Sequence, residues 1–242
     1  MLKKYFGRLL NIIYPETCPV CSRPSKNSHI QSLLCPDCLQ AIKKNTPPLC
    51  ALCGRQIRGE QIAKRACPEC LTDRGLCFDR SLSPCIYEGV TRELIHKFKY
   101  QNRDYLNSFL SSLLIDCIRQ NRIGLDNFNL VIPIPLHKTR LREREFNQAE
   151  LIARSVAREF SIALSPGNLW RKHNRRAQVE LNDVERRNNV KGCFALRNPE
   201  EIKHKNILLI DDVLTTGATC SEAASVLKTA GAGSIFVLTL AN

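Results

Sequence analysis

Two adjacent carboxylates, Asp211 and Asp212, follow an apolar run directly and precede a short turn rich in Thr, Gly and Ala. The backbone amides of such a turn, at the positive end of a helix, form a binding site for a phosphate. Carboxylates repel a phosphate, but they accept hydrogen bonds from vicinal hydroxyls or act through a bound divalent cation. Residues 207–219 therefore predict a site for a ribose 5-phosphate. The alternative is an ordinary buried strand followed by a helix N-cap.

Eight of the 13 cysteines form four Cys-x-x-Cys pairs in the first third of the chain. The pairs are Cys18/Cys21, Cys35/Cys38, Cys50/Cys53 and Cys67/Cys70. A gap of 13 residues separates the first pair from the second, and an equal gap separates the third from the fourth, which indicates a duplicated unit. Two thiolates of a tight turn reach one metal ion, and a second such turn completes a tetrahedron. The spacing predicts two structural Zn²⁺ sites, with the sequential pairing inferred from the equal gaps.

A disulfide framework is the alternative for these cysteines, and a cytoplasmic chain disfavours it. The chain begins with a basic, partly apolar stretch, but Arg8 and Asn11 interrupt it and no small-residue cleavage site follows. We therefore predict an amphipathic N-terminal helix instead of a signal peptide, and a cytoplasmic location. The unpaired cysteines are expected to be buried free thiols: Cys77, Cys85, Cys117, Cys193 and Cys220.

The chain is strongly basic, with a formal net charge of +13 over 242 residues and a pI near 9.3. A Zn²⁺ ion with four thiolates carries a net charge of about −2, so two such sites lower the total to about +9. The remaining excess suits an anionic substrate or nucleic acid. No apolar run reaches the length of a membrane span. An aromatic content of 6% offers few side chains for stacking on bases.

Strands and helices alternate after residue 75, and this order predicts an α/β fold with a parallel sheet and helices on both faces. Strands are expected at 81–89, 130–135, 207–210 and 234–241, and helices at 91–100, 103–120, 145–160 and 218–229. Ligands bind at the carboxyl ends of the strands in such sheets, where the acid pair would lie. We divide the chain into residues 1–75, with the N-terminal helix and a double zinc ribbon, and residues 76–242, with the sheet.

A second candidate segment follows the strand that ends at Pro135. Its candidate phosphate ligands are His137, Lys138, Arg140 and Arg144. Arginine forks pair with phosphate oxygens bidentately, so the segment predicts a loop that holds a pyrophosphate, and a solvated basic turn is the alternative. A lone His in such a loop more often forms hydrogen bonds than acts as a general base. Residues 171–191 are also basic. Three interpretations stay open for them: a mobile flap that closes over the substrate, a plain basic loop, or a contact with nucleic acid.

Residues 207–219 resemble the PRPP-binding signature of type I phosphoribosyltransferases and match it at every position. The chain as a whole resembles the ComF (ComFC, GntX-like) competence family through the four cysteine pairs, Tyr87, the stretch 133–148 and the acid-pair segment. The resemblance implies a type I phosphoribosyltransferase-like domain behind a double zinc ribbon. It also implies that Asp211 and Asp212 hold the ribose hydroxyls. The residues implied for the 5′-phosphate are Thr215, Thr216, Gly217, Ala218 and Thr219. One position departs from the family, because Glu145 stands where its pattern favours Gly.

Three functions are compatible with the sequence. The family resemblance favours a protein that binds PRPP with Mg²⁺ and supports the uptake and handling of single-stranded DNA in natural transformation. Its expected partners are single-stranded DNA and DNA-uptake machinery such as a helicase. The second function is a catalytically active phosphoribosyltransferase that transfers ribose 5-phosphate to a base. The third is a zinc-ribbon nucleic-acid-binding module with a vestigial pocket.

Overall fold

A five-stranded parallel sheet forms the centre of the protein. The computed structural model describes residues 17–23, 33–72, 75–100, 105–173 and 189–242. The strands are β1 Arg80–Leu82, β2 Leu130–Pro133, β3 Ala163–Leu164, β4 Leu169–Arg171, β5 Phe194–Leu196, β6 Ile207–Ile210 and β7 Ile235–Leu238. The sheet has the order β1-β7-β6-β2-β3 with every neighbouring pair parallel, and β4 and β5 form a separate antiparallel pair. The predicted α/β fold is confirmed.

The three central strands are apolar along their whole length because both faces of the sheet are covered. β2 and β6 pair in register from Leu130↔Ile207 onwards, and β6 and β7 pair from Ile207↔Ile235 onwards. All residues of β2, β6 and β7 are buried. Parallel strands covered on both faces require such continuous apolar runs instead of alternation.

The helices cover both faces of this sheet. In the described part of the chain they are α1 Pro36–Gln40, α2 Gln61–Lys64, α3 Pro68–Leu71, α4 Gly89–Tyr100, α5 Leu106–Gln120, α6 Lys138–Arg144, α7 Gln148–Glu159 and α8 Ala218–Thr229. Short 3₁₀ turns occur at Leu125–Asn127 and Pro199–Glu201. The four helices expected from apolar periodicity correspond to α4, α5, α7 and α8. None of the described helices combines the length and apolar character that crossing a bilayer requires.

The first strand is shorter than the sequence predicts. The strand expected over 81–89 is observed only as β1, after which the chain leaves the ladder. Pro84 is one reason, because it has no N–H to donate to a neighbouring strand. The chain returns to the sheet at a single bridge, where Cys85 pairs with Ala241 and donates its N–H to Leu240 O.

The sheet separates two apolar cores, and each core includes half of the cysteine-rich region. We call the unit of the first two cysteine pairs the first ribbon and the unit of the last two pairs the second ribbon. Helices α4, α5 and α7 pack on one face together with Cys35, Cys38 and Ile42 of the first ribbon. Helix α8 and the β4–β5 pair cover the other face together with Cys50 and Ile57 of the second ribbon. Both ribbons are therefore joined to the cores of the sheet.

Two sequence expectations concern the cysteine-rich region and its flanks. The N-terminal helix expected before the first cysteine pair lies outside the described residues, and the domain boundary near residue 75 stays a prediction. Four of the unpaired cysteines are buried as predicted, namely Cys85, Cys117, Cys193 and Cys220. The prediction is wrong for Cys77, which is exposed because it lies in the surface segment that leads from the second ribbon to β1.

Candidate functional site

The acid pair lies at the carboxyl end of β6, in the middle of the sheet. Asp211 directly follows β6, and its N–H donates to Leu238 O at 3.1 Å. The carbonyl of Asp212 accepts a hydrogen bond from Leu240 N at 3.0 Å. The backbone of both acids is therefore held by the chain of β7, at the edge where parallel sheets bind ligands.

A tight turn leads from the acid pair into helix α8. Gly217 is the N-cap residue, and its φ of +78° lies in the left-handed region that favours glycine. A Cβ at this position would lie 3.1 Å from Leu76 Cδ2, so the turn passes close to the segment before β1. Thr216 is buried and its Oγ1 accepts from Ala218 N at 3.3 Å, whereas Thr215 is exposed. The turn and strand end bring together all the residues predicted for this site: Asp211, Asp212, Thr215, Thr216, Gly217, Ala218 and Thr219.

Each carboxylate of the pair has an oxygen that contacts a protein donor. Asp211 Oδ1 accepts from Asp212 N at 2.8 Å, and Cys220 Sγ lies 3.7 Å from Asp211 Oδ2. Asp212 Oδ1 lies 2.8 Å from Lys99 Nζ, and these two side chains are only 14% and 17% exposed. Burial raises the pKa of Asp211 to about 7, with repulsion from Asp212 adding to the rise and Lys99 opposing it. Burial acts to lower the pKa of Lys99, but the carboxylates of Asp212 and Asp211 raise it overall.

The paired cysteines form two clusters of four sulfur atoms. In each cluster the four atoms lie within 4.8 Å of one another, with Cys18, Cys21, Cys35 and Cys38 in the first and Cys50, Cys53, Cys67 and Cys70 in the second. The sulfurs of Cys21 and Cys35 are 3.6 Å apart, and those of Cys53 and Cys67 are 3.5 Å apart. Sulfurs bound tetrahedrally to Zn²⁺ at about 2.3 Å lie about 3.7 Å from one another. Each cluster therefore fits one Zn²⁺, and the sequential pairing expected from the spacing is confirmed.

The first cysteine of each cluster has the same backbone environment. Burial acts to raise the pKa of Cys18, but the backbone N–H groups of Cys21, Cys35 and Val20 lower it overall to about 6. The three equivalent amides of the second cluster act on Cys50 in the same way and lower its pKa to about 7. The first cysteine of each cluster is therefore favoured as a thiolate, whereas burial raises the pKa of Cys38 above its usual value and those of Cys53, Cys67 and Cys70 to about 12. The duplication seen in the sequence is a structural duplication as well.

Two family models match the chain, a double zinc ribbon domain over residues 9–71 and a phosphoribosyl transferase domain over residues 147–242. Among the relatives, Competence protein F of Haemophilus influenzae is 32% identical over 154 residues, which are 62% of this chain and 66% of that protein. The chain belongs to the ComF competence family.

Two further relatives carry related names. The DNA utilization protein YhgH of Escherichia coli K12 is 28% identical over 91% of this chain and 81% of that protein. Competence protein ComFC of Bacillus subtilis is 31% identical over 64% of this chain and 60% of that protein, which is less than two thirds of its length. Among solved structures, the glutamine PRPP amidotransferase from B. subtilis complexed with ADP and GMP is 15% identical, with a TM-score of 0.36 over 58% of this chain and 26% of that one. The fold follows from the strand order and from the match to the phosphoribosyl transferase domain.

In this ComF-family chain, the basic segment after β2 forms a helix where the sequence predicts a loop. Helix α6 begins after His137, whose Nδ1 accepts a hydrogen bond from Thr139 N at 3.3 Å. The segment consists of good helix formers such as Lys, Arg, Leu and Glu, which explains the helix. The His137 ring thus serves as a helix cap. Lys138 is exposed and Arg140 is half-buried, so both side chains reach the surface from helix α6.

Arg144, the last predicted pyrophosphate ligand, is engaged within the protein. It is buried, its guanidinium lies 4.8 Å over the ring of Tyr100, and Nη2 donates to Tyr100 Oη at 3.0 Å. Its Nη1 donates to Gln148 Oε1 at 3.2 Å, and Gln148 Nε2 donates to Phe98 O. Arg144 therefore joins α4, α6 and α7, and contact of its guanidinium with a phosphate stays a prediction.

Glu145, the position that departs from the family pattern, ends helix α6. Its φ is +66°, in the left-handed region where the C-terminal residue of a helix is most often glycine. The preference of the family for Gly therefore has a conformational reason. A side chain in this conformation costs roughly 1 kcal/mol relative to glycine.

The basic stretch 171–191 is described only at its ends, because the part of the predicted flap at 174–188 lies outside the described residues. Arg171 ends β4, and its guanidinium lies 5.5 Å over the ring of Phe194. Burial lowers its pKa first and Arg140 lowers it further, whereas Cys193 and Asp211 oppose the change. Arg171 is therefore within electrostatic reach of both Arg140 and Asp211. The sequence placed Arg171 in the basic stretch without assigning it to the site.

Lys99 is a member of the site that sequence reasoning did not assign. It follows Phe98 in the last turn of α4, beside the apolar stripe of that helix. The sequence predicts a helix over 91–100 but gives Lys99 no role as a ligand. Its ion pair with Asp212 joins residues far apart in the chain, so no local spacing reveals it.

Proposed function

We propose that this chain binds PRPP with Mg²⁺ and supports the handling of single-stranded DNA in natural transformation. The observation that carries the proposal is the arrangement of two acids at the end of β6, followed at once by a glycine-capped turn onto α8. Acceptors for hydroxyls and donors for a phosphate lie next to each other there. A ribose 5-phosphate needs both groups, acceptors for its hydroxyls and donors for its phosphate.

The ribose end of the ligand would contact the acid pair. Vicinal hydroxyls donate hydrogen bonds, and Asp212 Oδ2 has no donor among the hydrogen bonds of the described residues. The ammonium of Lys99 lies 2.8 Å from Asp212 Oδ1 and offsets part of the charge of this carboxylate. The pair therefore offers an acceptor whose negative charge is partly balanced before a ligand arrives.

The phosphate end would lie against the turn at 215–219. Gly217 caps α8 in the left-handed conformation, and the amide of Ala218 already donates to Thr216 Oγ1, so a phosphate would contact the amides that follow it. Such amides have no acceptor within their own helix, and the helix dipole favours an anion in front of them. The hydroxyls of Thr215 and Thr219 add donors at this turn.

The pyrophosphate of PRPP would contact the basic groups beside the acid pair. Arg171 interacts electrostatically with Arg140 and with Asp211, and guanidinium groups suit phosphate oxygens. The oxygen atoms of Asp211 and Asp212 are of the donor type that Mg²⁺ prefers, so these residues fit the cation that accompanies PRPP. A bound Mg²⁺ would neutralise the charge of the pyrophosphate.

Thermal unfolding with PRPP and MgCl₂ tests the binding proposal. Ligand at about 100 times its Kd should stabilise the protein by about 2.7 kcal/mol. Asp212→Asn should abolish the shift, whereas Asp126→Asn, an exposed acid outside the site, should keep it. A parent protein whose melting temperature does not respond to PRPP would contradict the proposal. Release of pyrophosphate with a panel of bases would distinguish a transferase from a binding protein.

Nucleic-acid contact is supported by the charge of the chain and by the names of its relatives. A net charge of about +9 remains after both zinc sites are filled, and one relative is named a DNA utilization protein. In the described part of the chain, the exposed side chains of Tyr105 (48%) and Trp170 (37%) are of the type that stacks on bases. A cytoplasmic location goes with this proposal, because reducing conditions keep the eight cysteines available for zinc.

A salt titration of single-stranded DNA binding, followed by fluorescence anisotropy, tests this second part. The affinity should fall steeply as salt rises, because phosphate contacts release counterions. Trp170→Ala should weaken binding, and Trp170 fluorescence should be quenched by DNA but not by inorganic phosphate. Absence of binding at low salt would rule out direct handling of DNA by this chain.

A further inference from the structure

Arg55 belongs to the second ribbon through its backbone. Its carbonyl accepts a hydrogen bond from Cys50 N at 2.7 Å, and its N–H donates to the sulfur of Cys53. Both bonds close the turn that carries two of the four sulfur atoms of this cluster. The position of Arg55 therefore depends on the geometry that the metal ion imposes on the turn.

The side chain of Arg55 leaves the ribbon and reaches the turn after the acid pair. Its Nη2 donates a hydrogen bond to the carbonyl oxygen of Thr215. Its Nη1 lies 3.5 Å from Oε1 of Glu69. Glu69 stands between Cys67 and Cys70, in the other turn of the cluster. One guanidinium, 28% exposed, thus links both cysteine turns of the second ribbon to the first residue of the predicted phosphate turn.

The segment after the second ribbon supports the same turn from another side. Ser221 in the first turn of α8 donates its hydroxyl to Gly75 O at 3.2 Å and accepts from Cys77 N at 3.0 Å. Leu76 lies against Gly217, because its Cδ2 is only 3.1 Å from the point that a Cβ on this glycine would occupy. Chain that continues directly from the last cysteine pair therefore forms one wall of the turn.

We propose that Arg55 is a positioning residue that couples zinc in the second ribbon to ligand affinity at the 215–219 turn. The inference rests on the proposed binding of PRPP. Zinc fixes the backbone of Arg55, and its guanidinium then holds the Thr215 carbonyl in the orientation that presents the following amides. Coupling between two sites is reciprocal, so PRPP should also strengthen retention of this zinc ion.

The first ribbon provides an internal comparison. Its buried residues Cys35, Cys38 and Ile42 belong to the core on the opposite face of the sheet, with α4 and α5. Among the described residues, the second ribbon thus contacts the phosphate turn, whereas the first ribbon packs on the opposite face of the sheet. We expect PRPP to protect one of the two zinc ions much more than the other.

The test combines calorimetric titration of PRPP and MgCl₂ with chelator-driven zinc release in the full-length zinc-loaded protein. Arg55→Ala should weaken PRPP binding about tenfold, the effect of losing one charge-assisted hydrogen bond. Arg55→Lys should recover part of the loss, because an ammonium can still donate to the Thr215 carbonyl. Arg58→Ala, an exposed arginine of the same ribbon, is the matched control and should bind as the parent does.

Zinc release supplies a readout that a merely structural role would not change. In the parent, saturating PRPP should slow release of one zinc equivalent several-fold, and in Arg55→Ala this protection should disappear. Equal affinity of Arg55→Ala and a parent that binds PRPP would overturn the coupling and leave the proposed function intact. A parent that does not bind PRPP would overturn both. If Arg55→Ala does not fold, Arg55→Gln carries the same test with less loss of packing.

Discussion

The ammonium of Lys99 lies 2.8 Å from Oδ1 of Asp212, and neither side chain is more than 17% exposed. Asp211 lies next to this ion pair and raises the pKa of Lys99 together with Asp212. The two carboxyl groups therefore share the buried ammonium of Lys99. Helix α4 carries no ligand-binding motif, but its Lys99 supplies a positive charge that stabilises the two adjacent carboxyl groups.

Replacement of Lys99 should destabilise the unliganded protein strongly. Lys99→Met leaves the buried Asp212 carboxylate without its partner, and such a loss costs about 3 kcal/mol. It should also raise the pKa of Asp211 further, because Lys99 now opposes that rise. Lys97→Met on the same helix is the control, since its pair with the half-exposed Glu93 should contribute below about 1 kcal/mol. Urea unfolding of both variants measures the difference, and equal losses would contradict a special role for Lys99.

Ionisation of Asp211 should make the unliganded protein less stable as pH rises. Its pKa is 3.8 in the unfolded chain and about 7 in the folded protein. Between these values the folded state keeps the proton that the unfolded state has released, so stability from this group is present below pH 4 and lost above pH 7.

Asp211→Asn removes this pH dependence and tests its sign. The variant should exceed the parent in free energy of unfolding by roughly 1–3 kcal/mol at pH 8, and the gain should shrink toward pH 4. Urea unfolding from pH 5 to pH 8 measures it, with the exposed Asp126→Asn as control. Parallel pH curves for parent and Asp211→Asn would show that Asp211 titrates normally.

The parts of the fold that the sequence predicted are those governed by local patterns. Apolar runs predicted β2, β6 and β7, and helical periodicity predicted α4, α5, α7 and α8. The acid pair and the turn at 215–219 are contiguous in the chain, so their neighbourhood followed from the motif alone. The repeated cysteine spacing predicted both clusters and their membership for the same reason.

The parts that the sequence did not predict depend on contacts between distant segments. The pairing of Lys99 with Asp212 and the reach of Arg55 to Thr215 join residues from different elements. The left-handed conformation of Glu145 contradicts residue preference, because the end of α6 and not the side chain sets that φ. The merging of each ribbon with a different face of the sheet also follows from packing, on which cysteine spacing carries no information.

Loss of one zinc ligand should destabilise the sheet and not only the ribbon. Cys38 is buried in the core that α4 and α5 form with β6 and β7. Cys38→Ser should lower the zinc content from about two ions to about one and the free energy of unfolding by roughly 3 kcal/mol or more. Cys77→Ser, at an exposed cysteine outside both clusters, should change neither value. Zinc analysis with urea unfolding followed by far-UV circular dichroism measures both, and sheet unfolding unchanged in Cys38→Ser would show that the ribbons are energetically separate.

Substitution of Gly217 should cost more than its backbone conformation alone requires. Gly217→Ala places a side chain at φ +78°, and its Cβ would lie 3.1 Å from Leu76 Cδ2. Gly59→Ala at φ +55° is the control for the backbone term, because nothing lies within 4 Å of its Cβ position. We expect the free energy of unfolding to fall by about 1 kcal/mol in Gly59→Ala and by about 2 kcal/mol in Gly217→Ala.

The double variant Gly217→Ala/Leu76→Ala separates the two contributions at this turn. Leu76→Ala makes room for the new Cβ. It should therefore lower the free energy of unfolding less in the Gly217→Ala background than in the parent, while the loss due to the left-handed φ of residue 217 remains. Urea unfolding of the single and double variants closes the cycle. Strict additivity would mean that Leu76 does not press on the phosphate turn. A favourable coupling of about 1 kcal/mol would establish that the segment after the second ribbon sets the position of the turn.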